Sequence, residues 1–140
     1  MVEKVTAAVL VAPGRYELQE FDRPVLPDGA MLMRMEMSGI CGTDKHTYQG
    51  ETKQYAGTPA ETDTPFPIIQ GHENVGIVSE ITPGAAAGLE FYGRELKVGD
   101  RITMCPDVVC GHCYECRHVM GYVWCENSQC YGNSCTADAW

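Results

Sequence analysis

The chain has 140 residues, the size of one domain: enough for a real core and too few for two ordinary ones. Ten basic against nineteen acidic residues give a formal charge of −9 with no Lys/Arg cluster to relieve it, which makes nucleic acid and anionic membrane poor partners. Fifteen glycines and eight prolines disfavour an all-helical fold and suit short strands joined by bends.

The longest apolar stretch, VTAAVLVA at 5–12, is far below the roughly 20 residues of a membrane span. It follows the neutral MVEK and runs into a turn at APG, so it reads as a first strand rather than a secretory segment. Without an export signal the expected setting is reducing and cytoplasmic, where dense cysteine spacing more often means metal than disulfide. YELQEF at 16–21 alternates and completes a hairpin. After a proline-rich loop, MLMRMEM at 31–37 places Met31, Met33, Met35 and Met37 on one strand face, predicted to pack in the core. SGICGTDKHTYQG holds one short helix, and 51–67 is polar, proline-bearing and without period, a long surface loop. Strands follow at 74–81 and 98–104, with turns around a short strand between them. Residues 105–140 are cysteine and glycine with little periodicity, too poor in apolar surface to order themselves by burial. Neither an internal repeat nor a linker divides the chain, so 1–140 reads as one mainly β domain.

Cys110, Cys113, Cys116 and Cys125 are spaced C-x2-C-x2-C-x8-C. Two-residue gaps let successive thiolates turn toward one ion, and four thiolates complete tetrahedral zinc with no position left for substrate, which marks a structural site. Metal binding on the order of 10 kcal/mol would fold a lobe that lacks its own core. An iron–sulfur cluster uses the same opening, but its fourth cysteine usually comes three residues on, before proline, where this chain has Met120. Disulfides or a redox pair are the other alternative, favoured only on export. His112 and His118 inside the run read as solvent-facing, and Cys105, Cys130 and Cys135 as free or lobe-packing thiols.

A second, quieter set lies upstream: Cys41 in CGTDKH, and His72 beside Glu73 in GHE. One thiolate, one imidazole and one carboxylate form the mixed, incomplete set expected of a catalytic metal that keeps a position open, although a cysteine and a histidine so far apart are more often plain core residues. Asp44 is placed to take the ring N–H of His72 and fix its tautomer. Thr43 and His46 supply a hydroxyl and a titratable ring, the parts needed to carry a proton from a bound alcohol to water. The competing reading of Thr43 and Asp44 is helix capping. G-x-S-x-G, P-loop and G-x-G-x-x-G patterns are all missing from these residues.

Taken in order, SGICGTDKH, GHENVGIVSEI, VGDRI and CGHCYECRHVMGYVWC resemble the N-terminal catalytic domain of the zinc-dependent medium-chain alcohol dehydrogenases, over nearly the whole chain. The resemblance implies a GroES-like, partly open β-barrel with short helices and a projecting structural-zinc lobe at 105–135, incomplete without a downstream Rossmann domain. It implies two zinc ions per chain, a catalytic one on Cys41 and His72 with Glu73 able to join it, and a structural one on the four-cysteine run. It also implies a proton relay through Thr43 and His46, an NAD or NADP cofactor bound by the further domain, a small alcohol or carbonyl substrate, and a homo-oligomeric full-length protein. Gly42 after Cys41 makes the chain look most like the polyol, threonine and butanediol dehydrogenases. Three features depart from the family: one extra residue between Cys116 and Cys125, a long 46–72 stretch, and a stop at Trp140 before the last metal ligand and the dinucleotide-binding domain. The expectation is therefore the front portion of a secondary-alcohol or polyol dehydrogenase, inactive alone. The rival reading is a non-catalytic zinc module that keeps only the structural ion.

Overall fold

The computed structural model describes residues 3–54, 56–57, 61–86, 90–91 and 94–137. The first two strands, β1 (Lys4–Ala12) and β2 (Arg15–Asp22), form the expected antiparallel hairpin. Its turn uses Gly14 at φ 74°, a left-handed conformation that a side chain would strain. Val9 and Leu10, near the end of β1, are fully buried. They are the most deeply buried residues of the strand because a later segment lies on them. Leu10 bridges to Ile68 through reciprocal hydrogen bonds of 2.8 and 3.0 Å, and Ile68 is itself fully buried. Each such side chain contributes about 1.5–3 kcal/mol of burial.

β3 (Met31–Ser38) pairs with β6 (Asn74–Ile81), which also pairs with β9 (Arg101–Thr103), giving a three-stranded antiparallel sheet in the order β3-β6-β9. Val78 of β6 is fully buried, and Gly76 lets β3 come close: a Cβ there would strike the carbonyl of Arg34 and stand 2.7 Å from Met33 Cγ. The methionine face is only half as expected. Met31 and Met33 are partly covered, whereas Met35 is 47% and Met37 is 69% exposed. Two register irregularities along β3, at Leu32/Met33 and Met35/Met37, break the strict alternation that the sequence pattern assumes.

Between β3 and β6 lies α1 (Gly42–Tyr48), the predicted short helix. It starts where Asp44 Oδ2 accepts from the Cys41 N–H at 2.8 Å and stops before Gly50 at φ 96°. The 51–67 stretch is more structured than a plain loop: β4 (Lys53–Gln54) and β5 (Thr62–Asp63) make a small hairpin. The Lys53 ammonium bonds Glu61 across it at 2.9 Å. Beyond β6 come α2 (Pro83–Ala86) and the short pair β7 (Glu90–Phe91) and β8 (Arg94–Glu95). The C-terminal lobe carries β10 (Asp107–Val108), α3 (Tyr114–His118), α4 (Gly121–Trp124) and β11 (Gln129–Cys130), with β10 and β11 paired. The described strands form one three-stranded and four two-stranded sheets without closing a barrel.

Candidate metal centres

In the lobe, the ligand atoms of Cys110, Cys113, Cys116 and Cys125 all lie within 4.8 Å of one another. Cys110 Sγ stands 3.9 Å from Cys116 Sγ, close to the edge of ~3.8 Å that a tetrahedral ion with Zn–S bonds would impose. An iron–sulfur core would spread the four sulfurs wider. All eight cysteines are free thiols. The spacing produces this cluster through local backbone geometry. The N–H of Cys113 points at Cys110 Sγ and that of Cys116 at Cys113 Sγ, both at 3.4 Å, and the N–H of Cys110 faces Cys125 Sγ at 3.5 Å. The N–H groups of His112 and Cys113 hold the Cys110 thiol down at about 6, while burial and the neighbouring Cys113 push Cys116 up to about 12. A divalent ion bound among the four sulfurs would favour the thiolate form of its ligands.

The residues just before Cys125 form α4. Gly121 opens that turn against the previous one, where a Cβ would sit 2.8 Å from both Cα and Sγ of Cys116. Cys125 then arrives in the cluster almost fully buried, at 5% exposure. His112 and His118 are exposed and outside the cluster: His112 Nδ1 meets the Cys110 carbonyl at 2.7 Å, and His118 packs on Tyr114 with ring centres 5.1 Å apart.

The second centre is assembled from distant segments. Cys41 Sγ and His72 Nε2 are 3.1 Å apart, and a carboxylate oxygen of Glu73 completes a group within 4.8 Å. Three contacts hold the 70–73 segment in place, one from β2, one from α1 and one from the residues just before α1. The Tyr16 hydroxyl donates to Gln70 Oε1, Gln70 Nε2 donates to the Asp44 carbonyl at 3.4 Å, and Gly39 N–H donates to the Glu73 carbonyl at 2.8 Å. Gly39 also clears space for the Glu73 carboxylate, since a Cβ there would lie 2.7 Å from Oε2. A soft thiolate, an imidazole nitrogen and an exposed carboxylate on one side fit a zinc ion that keeps room for another ligand.

Asp44 behaves as a helix cap and not as the partner of His72. Its Oδ2 is spent on Cys41 N–H, and Asp44 Oδ1 and His72 Nδ1 are each buried without a hydrogen-bond partner among the described residues. Capping wins because the Cys41 N–H lies three residues away on the same turn, a local bond that needs no tertiary assembly. Thr43 and His46 line one small polar cleft of about 190 Å³ with Thr47, Glu51, Lys53 and Gln54. Within it His46 Nδ1 meets Glu51 Oε2 at 2.9 Å, and the Glu51 N–H donates to the His46 carbonyl at 2.9 Å. Sequence reasoning missed Glu51, which sat inside a stretch read as featureless loop; its place one turn beyond a candidate relay histidine was the available signal.

The chain belongs to the alcohol dehydrogenase GroES-like domain family, whose model matches residues 27–137. Within it, the L-threonine 3-dehydrogenase of Thermococcus kodakarensis is 35% identical over 133 residues, 94% of this chain and 34% of that protein. An alcohol dehydrogenase from Thermotoga maritima superposes with a TM-score of 0.74 at 31% identity, covering 95% of this chain and 33% of the other. A zinc-binding dehydrogenase from Sinorhizobium meliloti bound to NADP gives 0.67 at 29% identity, over 94% and 33%. The chain thus spans about a third of the length of the curated relatives it matches.

Proposed function

We propose that this chain is the metal-binding, proton-handling portion of a zinc-dependent, NAD(P)-linked dehydrogenase that oxidises a secondary alcohol or polyol, or reduces the matching carbonyl. The observation that carries the reading is the meeting of Cys41 Sγ and His72 Nε2 at 3.1 Å with Glu73 in reach, two residues before Thr43 on the same helix start. Cys41, His72 and Glu73 would hold the catalytic zinc, and Cys110, Cys113, Cys116 and Cys125 the structural one. A zinc ion in the first site supplies Lewis acidity, lowering the pKa of a coordinated hydroxyl.

The chain's own residues do the rest. Thr43 offers a hydroxyl that can accept one proton and release another. With Nδ1 engaged by Glu51, the half-exposed ring of His46 leaves Nε2 to take up the proton. The net change is removal of the hydroxyl proton to water and of a hydride to the oxidised nicotinamide, leaving a carbonyl. A further domain of the polypeptide would present that nicotinamide; the Sinorhizobium meliloti relative's structure is bound to NADP. The relatives' names favour small hydroxylated substrates, threonine among them. The reading includes a cytoplasmic homo-oligomer; the charge of −9 disfavours nucleic acid and anionic membrane as partners, and no described helix is long and apolar enough to cross a membrane.

The test is zinc content with a dehydrogenase assay on the full-length protein across polyols, secondary alcohols and β-hydroxy amino acids. Two zinc ions per chain, one of them lost in Cys41→Ser, with nicotinamide reduction by at least one substrate class, is the expected result. A single zinc insensitive to Cys41→Ser would sink the enzyme reading and leave a structural zinc module.

A further inference from the structure

Three backbone segments are stacked at His72 with glycine at each contact. On one side lies the end of β3. Gly71 stands at φ 115°, and a Cβ on it would strike Ser38 Oγ. On the other side lies the turn that leaves the four-cysteine lobe. Gly132 stands at φ 76° and is buried, and a Cβ on it would lie 2.8 Å from Gly71 N, 2.5 Å from Gly71 C and closer still to Gly71 O. All three nearest atoms are backbone of the residue before His72, and backbone in a sheet-flanking segment has no rotamer with which to move aside.

The turn is itself held from several directions. Its two ends close through Ser134 N–H to the Cys130 carbonyl at 2.9 Å and Cys130 N–H to Ser134 Oγ at 2.7 Å. Tyr131 N–H donates to the Pro106 carbonyl at 3.0 Å, tying it to the lobe's entry, and Ala137 N–H donates to the Pro67 carbonyl at 2.8 Å, tying it to the segment that leads to His72. Ala137 and Ile68 are buried where these segments meet. The lobe exit therefore meets both ends of the 67–71 approach to the histidine.

We propose that Gly132 is a positioning residue for the Cys41/His72 metal site: by seating on Gly71, the lobe's exit turn fixes where the His72 ring stands relative to Cys41 Sγ. The inference rests on the reading of Cys41, His72 and Glu73 as metal ligands. Ligand atoms 3.1 Å apart tolerate little displacement, and residues that orient a metal ligand from behind typically change metal affinity by about 10–100-fold when altered.

The experiment is zinc competition with a chelator on the full-length chain, recording zinc per chain against free zinc, with the second ion assigned by its loss in Cys41→Ser. Gly132→Ala is compared with Gly132→Asn, which adds the same Cβ but tolerates a left-handed backbone, and with Gly14→Ala, where φ is 74° and nothing lies within 4 Å. The expected result is that Gly132→Ala and Gly132→Asn both keep the lobe zinc and need about tenfold or more free zinc to half-fill the second site, while Gly14→Ala matches wild type. Wild-type affinity in Gly132→Ala would overturn the proposal. Recovery in Gly132→Asn would overturn it too, by making backbone strain the cause, and so would joint loss of both ions, which would assign Gly132 to lobe folding. A wild-type chain holding only the lobe zinc would remove the metal reading itself, and the positioning role with it.

Discussion

The two cysteine-bearing centres of this molecule are built on opposite plans. The lobe draws its four thiols from sixteen consecutive residues and orients them by the N–H groups of the intervening turns. The Cys41/His72 centre draws its ligands from a helix start and a loop 31 residues apart, and depends on Tyr16, Gln70, Gly39 and Gly132 to keep them together. The lobe set is closed, with its fourth thiol buried; the other set ends on an exposed carboxylate. A locally encoded site is robust and chemically inert, whereas a site assembled across the fold is adjustable and can leave a position free.

The largest expected effect breaks the lobe. Cys113→Ser removes a ligand and the N-cap of α3, where Cys113 Sγ accepts from Cys116 N–H, so the lobe zinc should be lost and residues 105–135 should lose amide-exchange protection. Because the exit turn would loosen with it, the second ion should weaken as well, read as a rise in the free zinc needed for half-occupancy. Cys41→Ser should do the reverse: zinc content falls by one ion per chain while exchange protection of the lobe is retained. If each substitution emptied both sites, the contrast between local and assembled construction would be wrong.

Next in size is the packing beneath the approach to His72. Ile68→Ala removes a fully buried side chain beside Leu10, four residues ahead of His72, and should lower stability by about 2–5 kcal/mol in denaturant unfolding. The lobe zinc should survive it, and zinc counted below the unfolding midpoint checks this.

The smallest effect lies where the two regions adjoin. Burial and the carboxylate of Asp107, its cross-strand neighbour, push the Cys130 thiol up to about 12. A raised pKa keeps the group protonated and unreactive throughout the neutral range, so Cys130 should be among the slowest cysteines to alkylate at pH 8 in the folded protein. Asp107→Asn removes the repelling charge but not the burial, so the pKa should fall only partway and alkylation, followed by peptide mass mapping, should speed up severalfold.

Much of this was legible before any fold was known. The hairpin, the strands at 31–38 and 74–81, the short helix after Cys41 and the four-thiol cluster all follow from signals that span a few residues: alternation, turn glycines, and ligand spacing. The errors came where one residue's fate depended on a distant partner. Met35 and Met37 fit the pattern of a buried face, yet the described residues leave them exposed. The 51–67 stretch has no period because its small hairpin is held by Lys53 with Glu61 and by Gln54 Nε2 donating to Thr64 Oγ1, pairs that leave no hydrophobic trace. Asp44 looked available to His72 because sequence cannot weigh a nearby backbone N–H against a tertiary imidazole.

The sequence alone determined which side chains offer metal-ligating atoms and that four thiols fall within one short run whose spacing suits tetrahedral thiolate chemistry. Only the tertiary structure decided that Cys41 meets His72, that Glu51 stands behind His46, and that Gly132 presses on Gly71. Those meetings depend on where the backbone of one segment lies against another, and a glycine that permits close approach reads in a sequence like any other turn residue until its neighbour is in place.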